Sequence, residues 1–121
     1  DKGRFELRLM DGAVNPYLLQ AGVIASGLHG INHKINPGEP LSCNMYTDHK
    51  NYPNLKKLPD IIEDALDQLE NNNEIAEAFG RNTIKSYIKL KRFEIESFNQ
   101  KENFDKKGSI TNWEKNNTLD C

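Results

Sequence analysis

Cysteine is scarce: Cys43 and Cys121 are the only two, too few for a disulfide framework and without the Cys/His spacing of a structural zinc site. A reducing, cytoplasmic compartment is therefore expected. Long apolar runs are missing as well. Nothing approaches the roughly 18 consecutive apolar residues of a membrane-crossing helix, and the sequence as given opens on no charged leader with an apolar segment behind it. Excess positive charge is also lacking. Sixteen Lys and Arg face 18 Asp and Glu, a net charge of -2, and the aromatics are not interleaved with the basic residues, so neither nucleic acid nor a membrane is an expected partner.

Apolar content is low too, at 36% with a mean hydropathy of -0.76, whereas a free-standing domain has about 45–50% with Gly counted. The 121 residues suffice for one compact unit at most. Either much of the chain is a solvated helical surface, or it is part of something larger that completes its core. It starts at Asp1 without a Met, directly before its most informative stretch, and a further part upstream is expected.

That stretch is Arg4-Phe5-Glu6-Leu7-Arg8. Alternation predicts a strand over Arg4 to Met10, with Arg4, Glu6 and Arg8 on one face and Phe5, Leu7 and Leu9 on the other. A carboxylate between two guanidiniums at this pitch suits a site that holds a cation and anions together. Read from these residues alone, three exposed groups on a solvated sheet face remain the commoner explanation, since short motifs match by chance.

Asp11-Gly12 turns the chain, and Asn15-Pro16 is a helix start, with Asn as cap and Pro at the first position. The helix is expected from Pro16 to about His29. Its small and apolar residues, among them Leu18, Gly22, Val23, Ile24, Ala25, Gly27 and Leu28, predict burial on all sides, with Gly22 and Gly27 marking close backbone approach. From Ile31 to Pro59 a long irregular loop is expected, with a turn at Asn36-Pro37-Gly38. His29, His33 and His49 match no common metal motif and read as surface or capping histidines.

Asp60 with Glu63 resembles a capping box opening a helix whose stripe is Ile61, Ile62, Ala65, Leu66 and Leu69. Asn71-Asn72-Asn73 should break it, and a short helix then runs to Gly80. The longest helix should span Thr83 to Asn99, capped by Asn82 or Thr83. It turns Ile84, Tyr87, Ile88, Ile95 and Phe98 to one side and carries exposed pairs Lys91–Glu94 and Arg92–Glu96, worth about 0.2–0.5 kcal/mol each. Ile110, Trp113 and Leu119 are expected docking points of the polar tail. Seven acidic residues from Asp60 to Glu77 without Lys or Arg, and eight basic against four acidic from Arg81 to Lys107, read as solvated faces of neighbouring helices.

Arg4-Phe-Glu-Leu-Arg8, Asp11-Gly-Ala-Val-Asn-Pro-Tyr-Leu18, Ala25-Ser-Gly-Leu-His-Gly-Ile31 and Asn36-Pro-Gly38 resemble, in order and spacing, the last part of the catalytic domain of glutamine synthetase. Leu58-Pro59, Ala65-Leu66, Tyr87-Ile88 and Trp113-Glu114 resemble the helices that end such chains. The resemblance implies an α+β fragment, residues 1–121 being the C-terminal portion of that domain, with one strand followed mainly by helices and a long loop. It implies an ATP-dependent ligase that joins glutamate to ammonia through a γ-glutamyl phosphate, with Mg2+ or Mn2+ as metal and ATP as cosubstrate. By position Glu6 matches a metal ligand, Arg4 an arginine near the nucleotide phosphates, and Arg8 a catalytic arginine near glutamate and its transferred phosphoryl group. Carboxylate suits such metals and the guanidinium fork suits phosphate and carboxylate oxygens.

In the family the other metal ligands, the adenine pocket and the ammonia site lie upstream, and the site is completed between subunits of a homo-oligomeric ring. The chain alone should then be inactive. Tyr46 lies where some bacterial members carry a tyrosine modified by nucleotidyl transfer, but Thr47-Asp48-His49 replaces the usual Leu-Pro, so it reads as a loop tyrosine. The same departure leaves open a branch that uses another amine. The reading from a different class is a non-catalytic helical interaction module carrying an Arg-Glu-Arg strand.

Overall fold

The computed structural model describes residues 3–12, 14–101 and 110–117. Their elements are α1 (Pro16–Asn32), α2 (Met45–Asp48), a 3-10 turn (His49–Asn51), α3 (Ile62–Glu70), α4 (Asn73–Phe79), α5 (Arg81–Lys101) and α6 (Asn112–Asn117). Among the described residues there is no strand. The expected α+β class is corrected to all-helical for the described residues, and Arg4 to Met10 forms no regular element. A strand is defined by the ladder it shares with a neighbour, and none of the described residues forms a second one.

The core lies where α3 and α4 pack on α5. Leu66 and Ile88 are each 4% exposed, Ala76 and Ile84 are also buried, and Leu69, Ile75, Phe79, Tyr87 and Ile95 close around them. Full burial of such an aliphatic side chain is worth about 1.5–3 kcal/mol. The expected α3 stripe is therefore only partly core. Leu66 is buried and Leu69 half-buried, while Ile61, Ile62 and Ala65 face outward.

The helix boundaries follow from caps. Asn71 ends α3, its backbone N–H and its side-chain amide both donating to the Asp67 carbonyl at 3.2 and 2.8 Å. Asn72 opens α4 by accepting from the Ile75 N–H at 2.9 Å. Two expected caps are corrected. Helix α3 starts at Ile62 with Ile61 as an uncapped entry, so Asp60 is one residue too early, and Glu63 and Asp64 supply first-turn negative charge instead. Helix α5 starts at Arg81, before Asn82 and Thr83, because Gly80 at φ +85° breaks α4 and its carbonyl at once accepts from the Ile84 N–H at 3.2 Å. An L side chain disfavours that φ.

Polar contacts then fix the packing. Lys91 and Glu94 pair at 2.7 Å as expected. The expected Arg92–Glu96 pair gives way to one between helices, because the Arg92 fork reaches across to α3 and donates to Asp67 at 2.9 Å and Glu70 at 2.6 Å. Those two carboxylates raise the Arg92 pKa. Helix α6 opens with a reciprocal pair: the Thr111 N–H donates to the Glu114 carboxylate at 2.6 Å and the Glu114 N–H to the Thr111 hydroxyl at 3.1 Å. Trp113 docks as expected, its indole N–H on Ser97 Oγ at 3.3 Å and its ring edge-on to Phe98 at 5.5 Å. Ile110 is exposed, and Leu119 lies outside the described residues.

Helix α1 begins where expected, the Asn15 side chain accepting from the Tyr17 and Leu18 N–H groups at 3.0 and 3.1 Å. It runs past His29 to Asn32, shortening the loop, which also holds α2 and the 3-10 turn. The Asn36 turn forms, its side chain accepting from the Gly38 N–H at 2.9 Å. Burial all round is corrected: α1 has no buried residue, and Ile24, Leu28 and Ile31 lie exposed. Its main partner is α4, which covers one side only. An added Cβ at Gly22 would meet the Phe79 side chain at 4.0 Å and one at Gly27 nothing within 4 Å, so neither marks a close backbone approach within the described residues.

Candidate functional site

The Arg4–Arg8 segment precedes α1, joined to it by a turn in which the Val14 N–H meets the Asp11 carbonyl at 3.4 Å. Extended chain puts residues i and i+2 on one side, and the Arg8 Nε donates to Glu6 Oε1 at 2.6 Å. That contact brings two of the three sequence-nominated groups together. Arg4 makes no ion pair among the described residues, and all three side chains stand exposed. An ion pair this open contributes little stability and is readily opened by a stronger ligand for either member.

The other face, Phe5, Leu7 and Leu9, is exposed as well, Phe5 by 76%. Both sets of alternating side chains are thus left uncovered. For a metal, Glu6 offers one carboxylate, whereas Mg2+ takes a near-octahedral shell of oxygens. Among the described residues no group of three or more His, Cys, Asp or Glu can hold an ion. The residues of this segment therefore do not by themselves fit Mg2+ or Mn2+.

Outside this segment, Tyr46 in the first turn of α2 is 95% exposed. Cys43 lies 3.5 Å from Met45 Sδ, and hydrogen bonding to Cys43 raises the Tyr52 pKa. Two of the three histidines take cap positions, in line with the sequence reading, His33 as the C-cap of α1 and His49 of α2, while His29 lies half-buried in the last turn of α1. Sequence reasoning passed over the contact between His29 and His33, although their four-residue spacing on one helix was a usable signal.

The sequence pattern described as the glutamine synthetase catalytic domain matches residues 1–113. The chain belongs to the glutamine synthetase family. A glutamine synthetase of Rhizobium meliloti is 43% identical over 98% of this chain, which spans 25% of that protein. A gamma-glutamylethanolamide synthetase, GlnA4, of Streptomyces coelicolor is 34% identical over 92% of the chain, against 21% of its own length. A solved structure described as a GmaS/ADP complex superposes with a TM-score of 0.73 at 35% identity, covering 95% of this chain and 24% of that one. The chain thus spans about a quarter of the length of each. No helix among the described residues is long and apolar enough to cross a membrane.

Proposed function

We propose that residues 1–121 are the C-terminal portion of the catalytic domain of an ATP-dependent ligase that makes glutamine from glutamate and ammonia. The observation that carries this reading is the Arg4-Glu6-Arg8 alternation within a chain that matches the family over residues 1–113. In the reaction a γ-carboxylate oxygen of glutamate forms a bond to the γ-phosphorus of ATP, and ADP leaves. Ammonia then attacks the acyl carbon of the γ-glutamyl phosphate, phosphate departs, and the nitrogen gives up a proton. Negative charge must be neutralised throughout, which is the work of preorganised cations.

In this reading Arg4 meets the nucleotide phosphates, and Arg8 turns from Glu6 to the glutamate and phosphoryl groups, each of which offers a pair of oxygens to the guanidinium fork. Glu6 would hold one position of a Mg2+ or Mn2+ ion, which would help neutralise the phosphate charge, with the remaining ligands supplied from outside the described residues. The assembly that completes it is a homo-oligomer. In the full-length parent, Glu6→Ala should lower metal-dependent ligase activity by orders of magnitude, and Arg8→Lys should fail to rescue Arg8→Ala, because an ammonium lacks the fork. Unchanged turnover of the Glu6→Ala parent would sink the assignment.

A second reading keeps the site and changes the acceptor. The GlnA4 relative is named for an ethanolamide product, so a γ-glutamyl ligase using an amine other than ammonia is its natural alternative. Supplying the parent with ammonia, methylamine and ethanolamine in turn, with phosphate release as readout, separates the two.

A further inference from the structure

We propose that His29 and His33 form a two-histidine site for a borderline divalent transition metal, of the class of Zn2+, Ni2+ or Cu2+, at the C-terminal end of α1. Four residues apart on a helix, the two side chains share a face. Their rings stack, centroids 4.2 Å apart and planes inclined by 31°, so both imidazoles already stand together on one side of the helix.

The second observation concerns the tautomer. His33 Nδ1 lies 2.9 Å from the His29 carbonyl oxygen. A carbonyl only accepts, so Nδ1 carries the proton and Nε2 keeps its lone pair for a metal, the outer-shell arrangement that typically orients ligating histidines. The pair opens on a polar cleft of about 730 Å³ between α1 and α4. Glu74 and Glu77 of α4 line the same cleft, and Arg81 holds Glu77 at 3.2 Å.

Since no three such donors among the described residues can hold an ion, the protein supplies two nitrogens and water fills the remaining positions, giving an exchangeable site rather than a structural zinc centre. Imidazole selects zinc, nickel and copper, whereas Mg2+ prefers oxygen, so this site is chemically separate from Glu6. Occupancy would pin the last turn of α1, of which His33 is the cap.

Calorimetry of the metal-free chain with Zn2+ alone tests the proposal. One ion should bind, with affinity lowered about tenfold or more by His29→Gln or His33→Gln, and unchanged by His49→Gln or by millimolar Mg2+. In the unsubstituted chain, Zn2+ should shift the 15N resonances of His29 and His33 and leave those of His49 in place, a measurement that needs no variant to fold. Undiminished binding by both variants, or shifts confined to His49, would overturn the site.

Discussion

Two halves of the chain behave oppositely. Residues 62–101 close a core of their own around Leu66, Ala76, Ile84 and Ile88, while the described residues from 3 to 60 contain no buried residue at all. The second half has ordinary amphipathic helices that cover one another. The first half carries every residue assigned to chemistry and leaves its apolar surface open, Phe5 at 76% and Ile31 at 74% exposed.

The sharpest way to break this contrast is to ask whether the chemical half works by itself. Calorimetry of the 121-residue chain with ATP at millimolar Mg2+ should detect no binding; tight binding would show that Arg4, Glu6 and Arg8 need no further walls. Next in size is the core. Ile88→Ala should cost about 2–5 kcal/mol, read as a lost or strongly shifted urea transition, whereas Ile31→Ala should stay within about 0.5 kcal/mol.

Caps give a finer comparison, since Asn72 and Asn15 do the same job in different halves. Asn72→Ala should cost about 1 kcal/mol of the cooperative transition. Asn15→Ala, although it removes two hydrogen bonds, should leave that transition in place and appear only as faster amide exchange in α1. Smallest is an acid effect on α6. Bonds from the Thr111 backbone and hydroxyl lower the Glu114 pKa below its ordinary 4.5. A depressed carboxylate pKa adds stability above the unfolded value, and that stability is lost as pH falls through the folded one. Trp113 fluorescence should therefore report undocking of α6 on acidification below about 4.5, an effect weakened in Thr111→Ala.

What could be read in the sequence was mostly local chemistry. Asn15-Pro16, the three asparagines at 71–73 and the Asn36-Pro37-Gly38 turn act through neighbours within four residues, and the structure has each where the residues put it. The Asp60 cap failed because the chain enters α3 at Ile61 with no side-chain cap, and the Asn82 or Thr83 cap failed because Gly80, whose residue type permits φ +85°, already ends α4 and starts α5. The strand at Arg4 and the burial of α1 failed for another reason. Both depend on a neighbouring surface, and alternation or apolar content shows that a residue wants a partner without supplying one. Arg92 was placed in the right helix with the wrong acid, since the bridge to α3 spans 22 and 25 residues. For the site, alternation grouped Glu6 and Arg8 correctly, and their roles rest on the family.

Gly80 joins two helices through a single residue with a left-handed backbone, and α4, on its near side, is the main support of α1. The link is a pivot with no slack. Helix α5 must therefore follow any change of angle in α4, and Gly80→Ala, which puts a side chain on a torsion that L residues avoid, should loosen both helices together.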